Sequence, residues 1–163
     1  MYERILLAYD GSLEGAVALR EGAILARRVG AQVFVLSVVP GGVGAHVAEA
    51  AHGGAVVEET GRFQEILDRG VSRLIALGMK PKARLVFGDP AKAIGGFSRE
   101  IGADLVVVGH RKRSMLERWW SGPTGAYISD HVRCSVMIAR NVVSDAAFEE
   151  AMRASAPGEE VAP

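Results

Sequence analysis

The chain has 163 residues, a length that suits one domain with a single sizeable hydrophobic core. Its 19 basic and 19 acidic residues cancel to a formal net charge of zero, which excludes a protein-wide positive field for binding nucleic acid or anionic membranes. The single cysteine, Cys134, excludes an intramolecular disulfide and a thiolate metal site, and it is typical of a reducing cytosol.

The first segments of the chain predict a strand, a helix and a second strand. The apolar run 5–9 indicates a buried strand rather than a secretory signal. Apolar residues at helical spacing follow Ser12 and predict a helix that ends near Gly30, and the run 33–39 predicts the next strand. No stretch approaches about 20 apolar residues, so we expect a soluble, cytoplasmic protein without a membrane span.

The middle of the chain predicts a loop and two further helices around a strand. Residues 41–54 contain five glycines and are predicted to be a mobile loop. Apolar positions spaced along 57–75 indicate a long helix, and the run 84–87, which opens with an arginine, indicates a strand near a sheet edge. Residues 90–101 predict a third helix despite two adjacent glycines.

The last third predicts two more strands and two more helices. The runs 105–108 and 136–139 are apolar and branched, as in strands buried on both faces. Between them a fourth helix is predicted from Gly122 or Thr124 through Val132. Beyond the last strand, 144–154 is predicted to be a short helix and 155–163 a disordered tail. This alternation predicts an α/β fold: a five-stranded, parallel open sheet flanked by helices on both faces, Rossmann-like in architecture.

Polar and glycine residues follow the first and fourth predicted strands. Asp10 ends the first strand, and Gly109 ends the fourth and is followed by three cations at 111–113. Gly122 and Gly125 then lie at the start of the predicted fourth helix, whose free N–H groups favour anions. Since ligands of parallel sheets bind beyond the carboxyl ends of the strands, we expect a nucleotide-sized anion there if the two strands are neighbours. Alternatively, Asp10 is only a turn or helix-capping residue.

Four segments, in the order expected, resemble the universal stress protein family. They are Ile-Leu-Leu-Ala-Tyr-Asp-Gly-Ser at 5–12, Gly-Asp-Pro at 88–90, Asp-Leu-Val-Val-Val-Gly at 104–109 and Cys-Ser-Val-Met-Ile-Ala-Arg at 134–140. The resemblance implies a fold similar to the adenine nucleotide alpha hydrolases. It also implies a domain over residues 1–141, which leaves 142–163 as a C-terminal extension.

Nucleotide-binding members of that family carry Gly, two residues, Gly, nine residues, then Gly followed by Ser or Thr. Gly109 and Gly122 match the first and third glycines, whereas Lys112 and Pro123 stand at the second glycine and the hydroxyl position. Lys112 with its cationic neighbours can bind phosphate by charge, and Thr124 can supply a hydroxyl one position later. The alternative is that the motif has degenerated and the loop is a solvated, cationic connection.

The resemblance implies a binding site for ATP or AMP, with Mg²⁺ present only with ATP, and it implies no catalytic residue and no resident metal. The residues expected to line this site are Ala8, Tyr9, Asp10, Val38, Val108, Gly109, Arg111, Lys112, Gly122, Pro123 and Thr124.

Two other sequence patterns give weaker evidence of a binding partner or a metal. The basic stretch 110–113 precedes Trp119 and Trp120, and cations next to aromatics can bind single-stranded nucleic acid. We do not favour that partner, because four cations in a neutral protein more often form a ligand rim and paired tryptophans more often cover a core or subunit contact. His46 and His52 have no third ligand nearby in sequence, so a zinc site is not predicted.

Three functions fit the sequence. The first is a regulatory universal stress protein, a cytoplasmic homodimer paired through the last strand from Val136 to Ile138. Its adenine nucleotide modulates a protein partner that the sequence does not identify. The second is an interaction module of the same fold that has lost the nucleotide. The third, a slow ATP hydrolase, ranks below these because no general base stands beside a phosphate-positioning lysine.

Overall fold

The computed structural model describes residues 1–40, 53–110 and 131–154. Within these ranges it contains a five-stranded sheet and four helices of ten residues or more. The strands are β1 (Arg4–Ala8), β2 (Gln32–Pro40), β3 (Lys82–Gly88), β4 (Leu105–Gly109) and β5 (Ser135–Ala139). The helices are α1 (Leu13–Val29), α2 (Gly53–Ala76), α3 (Pro90–Ile101) and α4 (Asp145–Ala154).

The strands lie in the order β3-β2-β1-β4-β5, and every pair is parallel. Ile5 pairs with Leu105 and Leu7 with Val107, so β1 and β4 are direct neighbours. The strand order reverses at this pair, because the chain moves outward from β1 to β3 and then crosses back to β4. The predicted parallel sheet is confirmed, and so is the edge position of the strand that opens with charged residues, β3.

The sheet separates two hydrophobic cores, which confirms helices on both faces. Alternate residues of the central strands point to opposite sides, as the period of a strand requires. Leu7 and its same-face neighbours pack with α1, α2 and α4, whereas Leu6 and its same-face neighbours pack with α3. Both leucines are fully buried.

Helix α1 begins and ends where its sequence predicts. The side chain of Ser12 caps the N-terminus by accepting a hydrogen bond of 3.0 Å from the Gly15 N–H. Gly30 caps the C-terminus in the left-handed conformation, with φ of 68°, which a glycine adopts without steric cost.

Helix α2 begins earlier than expected. The predicted loop 41–54 extends too far, because Gly53 and Gly54 already belong to the helix. Glycine disfavours helix interiors, but at a helix start the amphipathic segment that follows can propagate the helix into it. Residues 41–52, with His46 and His52, lie outside the described residues.

The C-terminal helix α4 is packed into the larger core. Phe148 and Met152 are 0% and 1% exposed and join the cluster formed by α1, α2 and the sheet. Asp145 at the first turn forms ion pairs with Arg20 of α1, at 2.5 Å, and with Arg73 of α2.

The tail at 155–163 lies outside the described residues. Of the predicted fourth helix, only its end is described, where His131 is helical.

No described helix is long and apolar enough to cross a membrane.

Candidate functional site

A cavity of about 480 Å³ lies at the carboxyl ends of β1, β2 and β4. Its position beside the β1–β4 pair is the point of strand reversal at which open parallel sheets bind ligands. Its volume falls within the range of small-molecule pockets. The described lining comes from the end of β1, the turn after it and the first turn of α1, from β2 and β4, and from the two helices α2 and α3 on opposite faces of the sheet.

The turn between β1 and α1 is held by the Asp10 carboxylate. Its Oδ1 accepts hydrogen bonds from the Ser12 N–H at 3.0 Å and from the Ser12 hydroxyl at 2.5 Å. The same hydroxyl oxygen caps α1, so Asp10 supports the cap without being the cap itself. Asp10 is exposed and also lines the cavity, so the turn role and a position at the site, first considered as alternatives, occur together.

Gly109 lines the cavity, but its lack of a side chain serves helix packing. A Cβ at this position would collide with the carbonyl of Glu14 and approach the Gly15 nitrogen to 3.0 Å. We expected a glycine at this position so that a ligand could approach the backbone. In the structure the glycine is needed because β4 ends against the first turn of α1. The glycine brings α1 close to the strand end and thereby shapes the cavity.

Two further glycines let α2 close over the same turn. Gly11 has φ of 75°, and a Cβ there would lie 2.8 Å from Cγ2 of Ile66. On α2, a Cβ at Gly70 would lie 2.7 Å from Cε1 of the Tyr9 ring. Because neither Gly11 nor Gly70 carries a side chain, α2 can approach the end of β1 closely enough to form one wall of the cavity.

The α2 wall was not anticipated from the sequence as part of the site. It contributes Arg62, Phe63, Ile66 and Arg69. Positions 62, 66 and 69 follow helical spacing, so they lie on one face. The sequence pattern marked Phe63 and Ile66 only as apolar positions of a helix. The signal available for a site was an arginine on either side of this apolar stripe.

Six of the predicted site residues meet at this cavity, and the rest fall on residues that the structure does not describe. Those that line the cavity are Ala8, Tyr9, Asp10, Val38, Val108 and Gly109. Those outside the described residues are Arg111, Lys112, Gly122, Pro123 and Thr124.

The described lining combines apolar surface with both signs of charge. Leu36, Val38, Ile94 and Val108 supply aliphatic walls, while Asp10 and Glu14 oppose Arg62 and Arg69 in formal charge. No lysine or histidine is among these described lining residues, and within the described chain no group of three acidic, histidine or cysteine residues could hold a metal ion. This part of the site therefore offers apolar surface together with charged groups of both signs.

Solved structures of other proteins share this architecture. A crystal structure of a universal stress protein in complex with cAMP is 22% identical, covers 85% of this chain and 97% of its own, and superimposes with a TM-score of 0.64. The universal stress protein of Archaeoglobus fulgidus in complex with dAMP is 23% identical, with coverages of 85% and 98% and a TM-score of 0.58. At these identities the likeness establishes the fold.

Sequence comparison gives the same relationship. A protein of Staphylococcus epidermidis assigned to the universal stress proteins is 29% identical over 142 residues, which cover 85% of this chain and 84% of the relative. The model of the universal stress protein family matches residues 1–140, which is most of the chain. Together with the sheet order and the site at the β1–β4 reversal, this match shows that the chain belongs to the universal stress protein family.

Proposed function

We propose that this protein binds an adenine nucleotide, ATP or AMP, in the cavity beside β1 and β4 and thereby regulates a protein partner in the cytoplasmic stress response. The observation that carries the proposal is the cavity itself. It lies where β1 and β4 adjoin, and Ala8, Asp10, Val38 and Gly109 line it together. A molecule of nucleotide size fits a pocket of about 480 Å³.

The chemistry of the lining supports a nucleotide over a purely apolar ligand. The aliphatic side chains of Val38, from β2, and Ile94, from α3, both line the cavity and offer apolar surface to a planar base. Asp10 offers carboxylate oxygens that accept from ribose hydroxyls or a base amino group. Two structures of similar fold hold cAMP and dAMP, which is consistent with the same ligand class here. Mg²⁺ would enter only as part of Mg·ATP.

Regulation follows if the ligand favours one arrangement of the protein over another, since only differential binding shifts an equilibrium.

The second part of the proposal is a homodimer paired through β5. This strand is the last in the sheet, and Val136 and Ile138 are only partly buried in the single chain. An apolar edge strand needs a cover, and a second copy supplies one.

The test is direct measurement of nucleotide binding. Acid extraction of the purified protein should release adenine nucleotide, and titration calorimetry should show saturable binding of ATP or AMP. At a ligand concentration a hundredfold above Kd, the free energy of unfolding should rise by about 2.7 kcal/mol. Extraction and titration that both show no nucleotide would contradict the proposal and favour the ligand-free interaction module.

A matched pair of variants locates the site. Val38 and Val86 are paired across β2 and β3 and both are half-buried, but only Val38 lines the cavity. Val38→Phe should fill the space for the base and weaken binding by at least about tenfold. Val86→Phe should leave the affinity unchanged. Equal affinities in the two variants would place the nucleotide elsewhere.

A further inference from the structure

Helix α2 presents two arginines to the cavity. Arg62 and Arg69 both line it, with the buried Ile66 between them on the same helix face. Seven residues correspond to about 10 Å along a helix axis, so the two guanidinium groups start from points two turns apart. Ile66 packs against the Gly11 turn and fixes this face of α2 toward the carboxyl end of the sheet.

Both arginines are available to a ligand. Arg62 and Arg69 are exposed, and within the described residues neither forms an ion pair or a hydrogen bond. Their neighbours differ: Gln64 bonds to Asp68 on the same helix, and the next arginine, Arg73, is paired with Asp145. A long cationic side chain that lines a pocket without a protein partner is suited to an anionic ligand.

The described lining of the cavity carries both signs of charge. Asp10 and Glu14 line it and have interactions of their own within the protein. Arg62 and Arg69 are the basic residues of the described lining, and guanidinium groups bind phosphoryl oxygens in bidentate geometry. Arginine side chains that begin about 10 Å apart on one helix can contact different phosphoryl groups of one chain, whereas a monophosphate offers a single group.

We infer that Arg62 and Arg69 form a polyphosphate subsite on α2, by which the cavity prefers nucleotides with a di- or triphosphate chain over monophosphates. This inference rests on the proposed function in that the base and ribose occupy the rest of the cavity. The phosphate chain then lies along α2, so the nucleotide contacts that helix as well as the ends of the strands.

The test compares ligands of increasing charge in four proteins by titration calorimetry. The proteins are wild type, Arg62→Gln with Arg69→Gln, the corresponding double lysine variant, and Arg28→Gln as control. Arg28 is an exposed arginine of α1 that does not line the cavity. The ligands are ATP, AMP, adenosine and inorganic tripolyphosphate.

Wild type should bind ATP more tightly than AMP. The double glutamine variant should lose at least about tenfold in ATP affinity, and its tripolyphosphate binding, while its adenosine affinity stays at the wild-type value. The double lysine variant should retain part of the ATP affinity because it keeps the charge but not the bidentate geometry. Arg28→Gln should match wild type for every ligand.

The ligand series separates this inference from the proposed function. ATP binding that is equally tight in wild type and in the double glutamine variant would overturn the subsite and leave the nucleotide function standing. Binding of tripolyphosphate that requires the two arginines, without binding of any adenine compound, would support the subsite and overturn the nucleotide function. A wild-type protein that binds neither ATP nor tripolyphosphate would overturn both.

Discussion

The hydroxyl of Ser37 donates a hydrogen bond of 2.5 Å to the carbonyl oxygen of Tyr9. Ser37 is fully buried in β2, and Tyr9 follows the last residue of β1. The Tyr9 N–H also bonds to the Leu36 carbonyl at 2.9 Å, so the chain keeps its position against β2 for one residue beyond the strand. The Ser37–Tyr9 bond therefore fixes the backbone directly before Asp10, whose turn lines the cavity.

Ser37→Ala should therefore affect both stability and the site. Loss of the hydroxyl leaves the Tyr9 carbonyl without this donor in a buried region, at a cost of about 1–3 kcal/mol in the free energy of unfolding. Displacement of the Asp10 turn should also weaken ATP binding severalfold. Urea denaturation and calorimetry measure the two effects.

The matched control is Ser98→Ala on α3. Ser98 is 2% exposed and donates to the Gly95 carbonyl at 2.9 Å within its own helix, away from the cavity lining. It should lower stability without changing the ATP affinity. A Ser37→Ala protein that binds ATP like wild type would show that this bond does not position the site.

Two adjacent glycines of α3 should respond oppositely to alanine. A Cβ at Gly95 would collide with the carbonyl of His131 and lie 2.8 Å from its carbonyl carbon, whereas nothing lies within 4 Å of a Cβ at Gly96. Gly95→Ala should lower the free energy of unfolding by about 1–3 kcal/mol through overpacking. Gly96→Ala should raise it by up to about 1 kcal/mol through helix propensity. Thermal denaturation gives the signs, and two shifts of the same sign would contradict this packing.

The C-terminal helix should contribute to the stability of the whole domain. Phe148 is fully buried in the larger core, so Phe148→Ala should cost about 3–5 kcal/mol. Val142 is 87% exposed, and Val142→Ala should change stability by less than about 0.5 kcal/mol. Urea denaturation of both variants measures these costs. A loss below about 1 kcal/mol for Phe148→Ala would mean that α4 detaches without disturbing the domain.

Cys134 should react slowly as a thiol. Burial raises the pKa of its thiol, and the nearby Asp104 carboxylate raises the pKa further by repelling the thiolate. Since only the thiolate is alkylated, iodoacetamide should modify folded protein more slowly than urea-unfolded protein, and the midpoint of its pH profile should lie higher.

The raised pKa of the Cys134 thiol makes the free energy of unfolding depend on pH. The unfolded chain loses the thiol proton at a lower pH than the folded protein, so the contribution of Cys134 to stability is complete below the unfolded pKa and declines as the pH rises above it. Cys134→Ala should reduce this alkaline decline. Equal alkylation profiles for folded and unfolded protein would contradict the assignment.

The sequence predicted the sheet because its strands are buried on both faces. Runs such as 105–108 contain no polar residue, which indicates a central parallel strand, and the arginine that opens 84–87 correctly indicated an edge. The helix ends at Ser12 and Gly30 were predictable because capping depends on local hydrogen bonds and on backbone conformation.

The α2 wall of the site and the packing roles of glycines were not predictable in the same way. The periodicity of α2 shows which face is apolar, but not that Gly11 and Gly70 bring its arginines to the carboxyl end of the sheet. Gly109 was explained by a ligand because the sequence does not show that α1 passes within contact distance of β4. Both facts depend on how distant segments meet.

The cavity has one wall on each side of the sheet. Ile66 belongs to the helix above one face, and Ile94 belongs to the helix above the other. A ligand held between them would contact both helix layers directly, in addition to the strands that separate the layers. Its departure would loosen both layers together, so the protein could report an empty pocket to a partner that touches either side.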